Sequence, residues 1–431
     1  MRSPELPSPR SVRSMTQCVV LNSLTWALMI GGALAPTGAR ADWAQRTIAG
    51  TSVLVYTPRS AGSYPTGRGL MIGLHGCTQQ NTALRDRGNW EPAADRFGVV
   101  VALPQVPNGG VIAGCWDYYG ANHTRTSRHD GAVLAIVDAL LDDASLDVDP
   151  AQVYVSGLSS GGGQAMVLGC LAPDVFAGVG VNAGPTVGTQ SSEIARVATN
   201  QTAASTTCRR LAGAAAASFD TQLTSVIAGT QDFIVAQGYS TLNAAVFAGL
   251  YEAPTESRID VASLPGFMSA GTGTRYADAR GPRVELVFQQ GMGHAFPAGS
   301  GAGAEISFIA SKGVSWPMTM LELFTMQNRR VGAAPLLDAG VADTGVDAGR
   351  APGADAGTSP RVDAGGARAD AGAGARADAA AGDDDAAVGD VQPAPIVGEA
   401  SGCAAVGAEG TAVGAIAVAV VFASRARRRR G

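Results

Sequence analysis

The sequence predicts an α/β fold, with a mostly parallel central sheet flanked by helices. Three observations carry that expectation. From about residue 42 to residue 327, short apolar runs alternate with longer runs of helical spacing. One of the apolar runs ends in a serine framed by glycines and passes at once into a small-residue helix. The stretch is also long enough, at about 285 residues, to bury one large core.

The elements follow in order. "SVLVYTP", "GLMIGLHG" and "GVVVALPQ" read as strands. "DGAVLAIVDALLDD" repeats its apolar residues at helical spacing, with acids on the other side. "AQVYVSG" is a strand, and "SGGGQAMVLGCL" is the helix after it. "VFAGVGVNAG", "LTSVIAGT" and "VELVFQQG" are three further strands. "AEISFIASKGVSWPMTMLELFTMQ" is expected to close the domain as a helix pair broken near Pro317.

Outside residues 42–329 the composition changes. Residues 1–41 read as a secretory signal. Arg2, Arg10 and Arg13 form a basic start, "CVVLNSLTWALMIGGALA" an apolar middle, and Ala39 to Ala41 a small-residue cleavage site before Asp42. Residues 330–400 are dominated by Ala, Gly, Asp and Pro, and "DAG" recurs irregularly from Asp338 to Asp370. Such a segment cannot bury enough apolar surface to offset chain entropy, so it reads as a disordered acidic linker. Residues 401–431 place Cys403 before a weakly apolar stretch and a closing arginine cluster. That arrangement resembles the sorting tails of myxobacterial surface proteins, which implies retention at the cell surface. An ordinary membrane anchor through the tail is the other reading.

The net charge of −5 gives no nucleic-acid footprint. Of the six cysteines, Cys18 leaves with the signal and Cys403 lies in the tail. Cys77, Cys115, Cys170 and Cys208 remain in the domain, and export permits disulfides. Four cysteines allow three pairings, of which Cys77–Cys115 with Cys170–Cys208 is favoured. No clustered Cys/His spacing suggests zinc, and no organic cofactor is implied.

"GLSSG", Gly157 to Gly161, fits the G-x-S-x-G pattern. The chemistry needs a strand ending in a sharp turn and a helix starting immediately, so that a strained serine stands exposed. Only Ser159 has glycine at both flanking positions, so Ser159 is the expected nucleophile. A phosphate cradle would need a Lys-Ser/Thr or another glycine spacing, and neither is present. A serine hydroxyl needs a base. His294, in "QQGMGHAFP", is the only histidine after Ser159 among four in the chain, and a Ser, acid, His order makes it the candidate. His75 is given a structural role, and His123 and His129 are read as solvated loop residues. The acid is expected at Asp232, just past the strand "LTSVIAG", ahead of Asp220, Glu252, Glu256, Asp260 and Asp278. An oxyanion hole needs two backbone N–H groups. Ser160 supplies one, and Cys77, after "LHG", the other.

Together "LHGCTQ", "GCWDYY", "VYVSGLSSGG" and "GMGHAFP" resemble the polyhydroxybutyrate depolymerase type of α/β-hydrolase esterase, a group that includes feruloyl and acetylxylan esterases. The resemblance runs from about Ser52 to Phe296. It implies an α/β-hydrolase fold and a triad of Ser159, Asp232 and His294. It also implies oxyanion donors at Cys77 and Ser160, a Cys77–Cys115 bond, and Trp116, Asp117 and Tyr118 beside the acyl pocket. Two positions depart from the pattern: Ala228 stands where a histidine-glycine pair is frequent, and Phe296 where tryptophan is. No recognisable polymer-binding or carbohydrate-binding module is read after the domain, where the expected linker and sorting tail take its place. The expected function is a secreted serine esterase on short-chain hydroxyalkanoate esters. Feruloyl or acetyl esters of plant polysaccharide are the alternative, and a non-catalytic surface protein on a hydrolase scaffold the weaker one.

Overall fold

Six parallel strands form the centre of a ten-stranded sheet in the computed structural model, which describes residues 42–303 and 305–332. The expected signal, nearly all of the linker and the tail lie outside the described residues. Among the described residues no helix is long and apolar enough to cross a membrane.

In chain order the strands are β1 (Trp43–Ile48), β2 (Thr51–Tyr56), β3 (Arg68–Leu74), β4 (Val99–Pro104), β5 (Val148–Leu158), β6 (Gly178–Asn182), β7 (Leu223–Gly229) and β8 (Thr255–Ile259). A two-residue β9 (Gly266–Phe267) precedes β10 (Gly271–Asp278) and β11 (Gly281–Gln289). The sheet order is β1-β2-β4-β3-β5-β6-β7-β11-β10-β8. Pairing is parallel from β4 through β11 and antiparallel at both edges. The central strands are buried on both faces, which is why they read as near-continuous apolar runs. Alternate residues still separate: Leu70, Ile72 and Leu74 enter one core, Met71 the other.

The helices are α1 (Asn81–Arg87), α2 (Trp90–Phe97), α3 (Arg128–Leu141), α4 (Ser160–Leu171), α5 (Gln201–Ala212), α6 (Gly238–Leu250) and α7 (Trp316–Met326). One core packs α3, α4, α5 and α6 against the sheet, and the other packs α2 and α7. Every residue of α4 is buried, which explains its lack of a polar face. The fold is thus the expected α/β-hydrolase architecture of a mostly parallel sheet between helix layers.

Two expectations are corrected. The closing segment holds one helix, not two. Pro317 stands in the first turn of α7, where its missing N–H is no loss, so it opens a helix rather than breaking one. Before it, Ser307 and Phe308 have positive φ, and Ile309–Ala310 and Gly313–Val314 are two-residue strands. The second concerns His123 and His129, expected in a solvated loop and found buried. The boundary expected at residue 329 falls between two arginines that both bond into the domain. Arg329 pairs with Asp278, and the Arg330 guanidinium donates to the carbonyls of Pro173, Asp174 and Phe176.

Both favoured disulfides are present, Cys77–Cys115 and Cys170–Cys208, each closing a separation of 38 residues. The second ties α4 to α5 inside the core. Replacing Cys170 and Cys208 together by alanine is expected to lower the unfolding free energy by about 4 kcal/mol, chiefly by freeing the unfolded chain. Chemical denaturation measures this loss, and kcat/KM should stay unchanged because neither sulfur reaches the site described next.

Candidate active site

Ser159 occupies the turn between β5 and α4 with φ 58° and ψ −117°, a left-handed conformation that an ordinary residue avoids. The flanking glycines make the turn possible. A Cβ on Gly157 would lie 2.3 Å from the backbone carbon of Gly161, and one on Gly161 would lie 2.4 Å from the Leu74 carbonyl oxygen. The elbow therefore closes on itself and against the end of β3. The Ser159 amide donates to the Asn182 carbonyl at the end of β6 (2.8 Å). The Asn182 side chain in turn donates to Ile227 on β7 (3.1 Å).

Asp232 and His294 meet. The Nδ1–H of His294 donates to Asp232 Oδ2 at 2.8 Å, and both side chains are nearly buried. The other carboxylate oxygen accepts from the amides of Ile234 and Val235 at 2.9 and 3.0 Å. The two loops that bring them together follow neighbouring strands, β7 and β11, and are laced to each other. The Gln231 amide donates to Met292 (2.9 Å), and the Gly291 amide to the Thr230 hydroxyl (2.9 Å). The rival acids lie elsewhere in pairs or on the surface. Asp220 pairs with Arg280, and Asp278 pairs with Arg283 and Arg329, which hold its carboxyl far below the usual range.

His75 directly follows β3 and is fully buried. Its Nδ1–H donates to the Gly76 carbonyl (2.8 Å), and Nε2 accepts the Val106 amide (3.1 Å). Burial pushes its pKa down, as a neutral structural imidazole requires. Gly76 packs against Leu158, so the Cys77 loop sits beside the elbow. The Ser160 amide belongs to the first turn of α4, where helix N–H groups have no intrahelical acceptor.

His123 and His129 are not solvated loop residues; both are buried. His123 Nδ1 donates to Asp130 Oδ2 at 2.7 Å, with both side chains wholly inaccessible. His129 Nδ1 accepts the Asp117 amide at 2.9 Å. A partner seven residues along the chain makes burial affordable for His123, and the sequence reading gave that partner no weight. Trp116 and Tyr118 are buried as well, Trp116 completely. Trp116 lies between the rings of His75 and His129, and the Tyr118 ring fills the space above Gly163. They back the elbow from within the core.

Sequence reasoning missed the rim. Phe233 is 88% exposed directly after Asp232, beside the exposed Ile234. Exposed Phe308 lies edge-on to the His294 ring at 6.2 Å, two residues after exposed Ile306. The apolar pair after Asp232 was the available signal, because a loop has no structural need for an exposed phenylalanine.

The model of the family described as Esterase PHB depolymerase matches residues 52–261, a span holding Cys77, Cys115, Ser159 and Asp232. The chain is 36% identical over 316 residues to a poly(3-hydroxybutyrate) depolymerase of Ralstonia pickettii, covering 70% of this chain and 64% of that protein. It is 33% identical over 122 residues to poly(3-hydroxyalkanoate) depolymerase C of Paucimonas lemoignei, covering 28% of each. It is 34% identical over 146 residues to an acetylxylan esterase of Coprinopsis cinerea, covering 33% of this chain and 37% of that protein. The chain thus spans less than two thirds of the length of each of these relatives. Residues 52–261 thus carry a domain that matches the Esterase PHB depolymerase family, and the long depolymerase alignment supports the same family.

Proposed function

We propose that the chain is an exported serine esterase that cleaves short-chain hydroxyalkanoate esters through an acyl-enzyme on Ser159. The observation that carries this reading is the Asp232–His294 hydrogen bond, formed by loops on adjacent strands of the same sheet as the strained Ser159 elbow. In the proposed cycle His294 Nε2 takes the Ser159 proton as Oγ attacks the ester carbonyl carbon. The carbonyl electron pair moves to oxygen, where the amides of Cys77 and Ser160 stabilise it. As the pair returns, the ester C–O bond breaks and the alcohol leaves with the proton from His294. Water then attacks the acyl carbon as His294 takes its proton; when this second intermediate collapses, the C–Oγ bond breaks, His294 returns the proton to Ser159 Oγ, and the acid departs. Asp232 keeps the imidazole in the Nδ1–H tautomer throughout.

Export is supported by the two disulfides, which need an oxidising compartment. A polyester substrate is supported by the apolar rim of Phe233, Ile234, Ile306 and Phe308 around the dyad, and by the names of the two depolymerase relatives. The acetylxylan esterase relative favours a second reading, an acetyl or feruloyl ester of plant polysaccharide. The purified chain should clear a poly(3-hydroxybutyrate) suspension and release 3-hydroxybutyrate oligomers, measured beside acetate release from acetylxylan and ferulate release from feruloylated arabinoxylan. Polysaccharide deacylation without clearing would replace the polyester reading with the second one.

A further inference from the structure

Three consecutive residues tie together the elements that flank the elbow. Cys115 is bonded to Cys77. The Trp116 amide donates to the Ser160 side-chain oxygen at 3.3 Å. Asp117 is held twice by the start of α3. Its amide donates to His129 Nδ1, and its carboxylate accepts a two-pronged contact from Arg128, with Nε–Oδ2 at 2.7 Å and Nη2 on Oδ1. Burial lowers the His129 pKa, which keeps its nitrogen free to accept.

Arg128 is itself unusual. Its φ is 54°, costly for a long side chain, and strain of this kind persists only where surrounding contacts overdetermine it. Here they do. Besides Asp117, its guanidinium donates to the carbonyls of Tyr119 and Asn122 (2.9 and 3.2 Å) and faces His123 Nε2 at 3.3 Å. His123 is fixed by Asp130, and Asp130 also accepts from Gln164 on α4. The arginine thus sits at the junction of the 115–123 segment, the start of α3 and, through His123 and Asp130, the helix that begins at Ser160.

We infer that Arg128 and Asp117 are positioning residues for the oxyanion hole, holding the Cys115–Asp117 strap so that the amides of Cys77 and Ser160 keep their mutual placement. This inference rests on the proposed esterase reading. The Asp117 carboxylate is taken up by Arg128, so neither residue acts by touching the reacting ester. Their effect passes through Trp116 and Cys115 to the two donors. It should therefore act on the transition state, where charge develops on the carbonyl oxygen, and little on ground-state binding.

The test uses the full chain and a soluble p-nitrophenyl butyrate substrate. Arg128→Lys retains the charge but loses the fork, so kcat is expected to fall about 10-fold; Arg128→Gln should lower it about 10²-fold, the scale of a small misplacement in an active site. Asp117→Asn should match Arg128→Lys, and the double variant Asp117→Asn/Arg128→Gln should be no worse than Arg128→Gln alone, because one device is lost once. KM should change little. The inhibition constant of a trifluoromethyl ketone, which forms an oxyanion on the nucleophile, should rise by the factor that kcat/KM falls. Wild-type kcat in a folded variant, a rise in KM alone, or an unchanged ketone constant would overturn the inference. If Arg128→Gln does not fold, Asp117→Asn and Arg128→Lys decide. Activity surviving in Ser159→Ala would instead sink the esterase reading beneath it.

Discussion

Ser159→Ala is expected to lower kcat for p-nitrophenyl butyrate by about 10⁶-fold while leaving the fold intact. The size follows because, in the proposed cycle, the substitution removes the oxygen that forms the acyl-enzyme. Surrounding donors would still bind the ester and leave a residual rate above that in water. The fold should tolerate the change because alanine keeps the Cβ, and the left-handed backbone at 159 strains serine and alanine alike. The Ser159 amide bond to Asn182 and its carbonyl bond from Gly163 are also main-chain interactions that the substitution does not touch. A fluorophosphonate probe should label the native chain and not the variant. Labelling or turnover at native levels in a folded Ser159→Ala protein would end the assignment of Ser159.

Asp232→Asn should cost about 10⁴-fold in kcat, more than the removal of a charge alone suggests. The reason lies in the two loop amides. Ile234 and Val235 both donate to Oδ1, so an asparagine at this position must turn its oxygen toward them. Its NH₂ group then faces His294 Nδ1, where a carboxylate oxygen stood at 2.8 Å. Two donors cannot share that contact unless the imidazole moves its proton to Nε2. Nε2 is the nitrogen left to receive the serine proton, and in that tautomer it is already occupied. Melting temperature should barely change, since the loop keeps its acceptor. A drop below about 10-fold would show that Asp232 is not the orienting acid.

Much of this site was legible because its residues are constrained locally. A strained serine needs glycine two residues away on each side, and Gly157 and Gly161 touch in the fold as that pattern demands. The Ser, Asp, His order follows from loops at the ends of the parallel strands β5, β7 and β11, taken in chain order, so chain position substituted for three-dimensional knowledge. What was not legible depends on partners whose sequence distance carries no pattern. His123 and His129 lie in a polar stretch, and their burial follows from Asp130 and from the fold of residues 116–119 over α4. The edge strands β10 and β8 have mixed polar and small residues, as edge strands facing water on one side do, so they left no apolar run to read. Proline opens helices as readily as it ends them, and only the placement of Ser315 at the N-cap, with Pro317 in the first turn, distinguishes the two.

The hydrogen bonds of Asn182 give the machinery a particular mechanical layout. Asp232 and His294 ride on loops after adjacent strands, β7 and β11, and are stitched to each other. Ser159 and its strap stand on β5 and α4. Between them stands β6, whose last residue grips the elbow with its carbonyl and β7 with its side chain. In the proposed cycle Asn182 is then a gauge block, since the width of β6 separates the strand that carries the nucleophile from the strand that carries the acid.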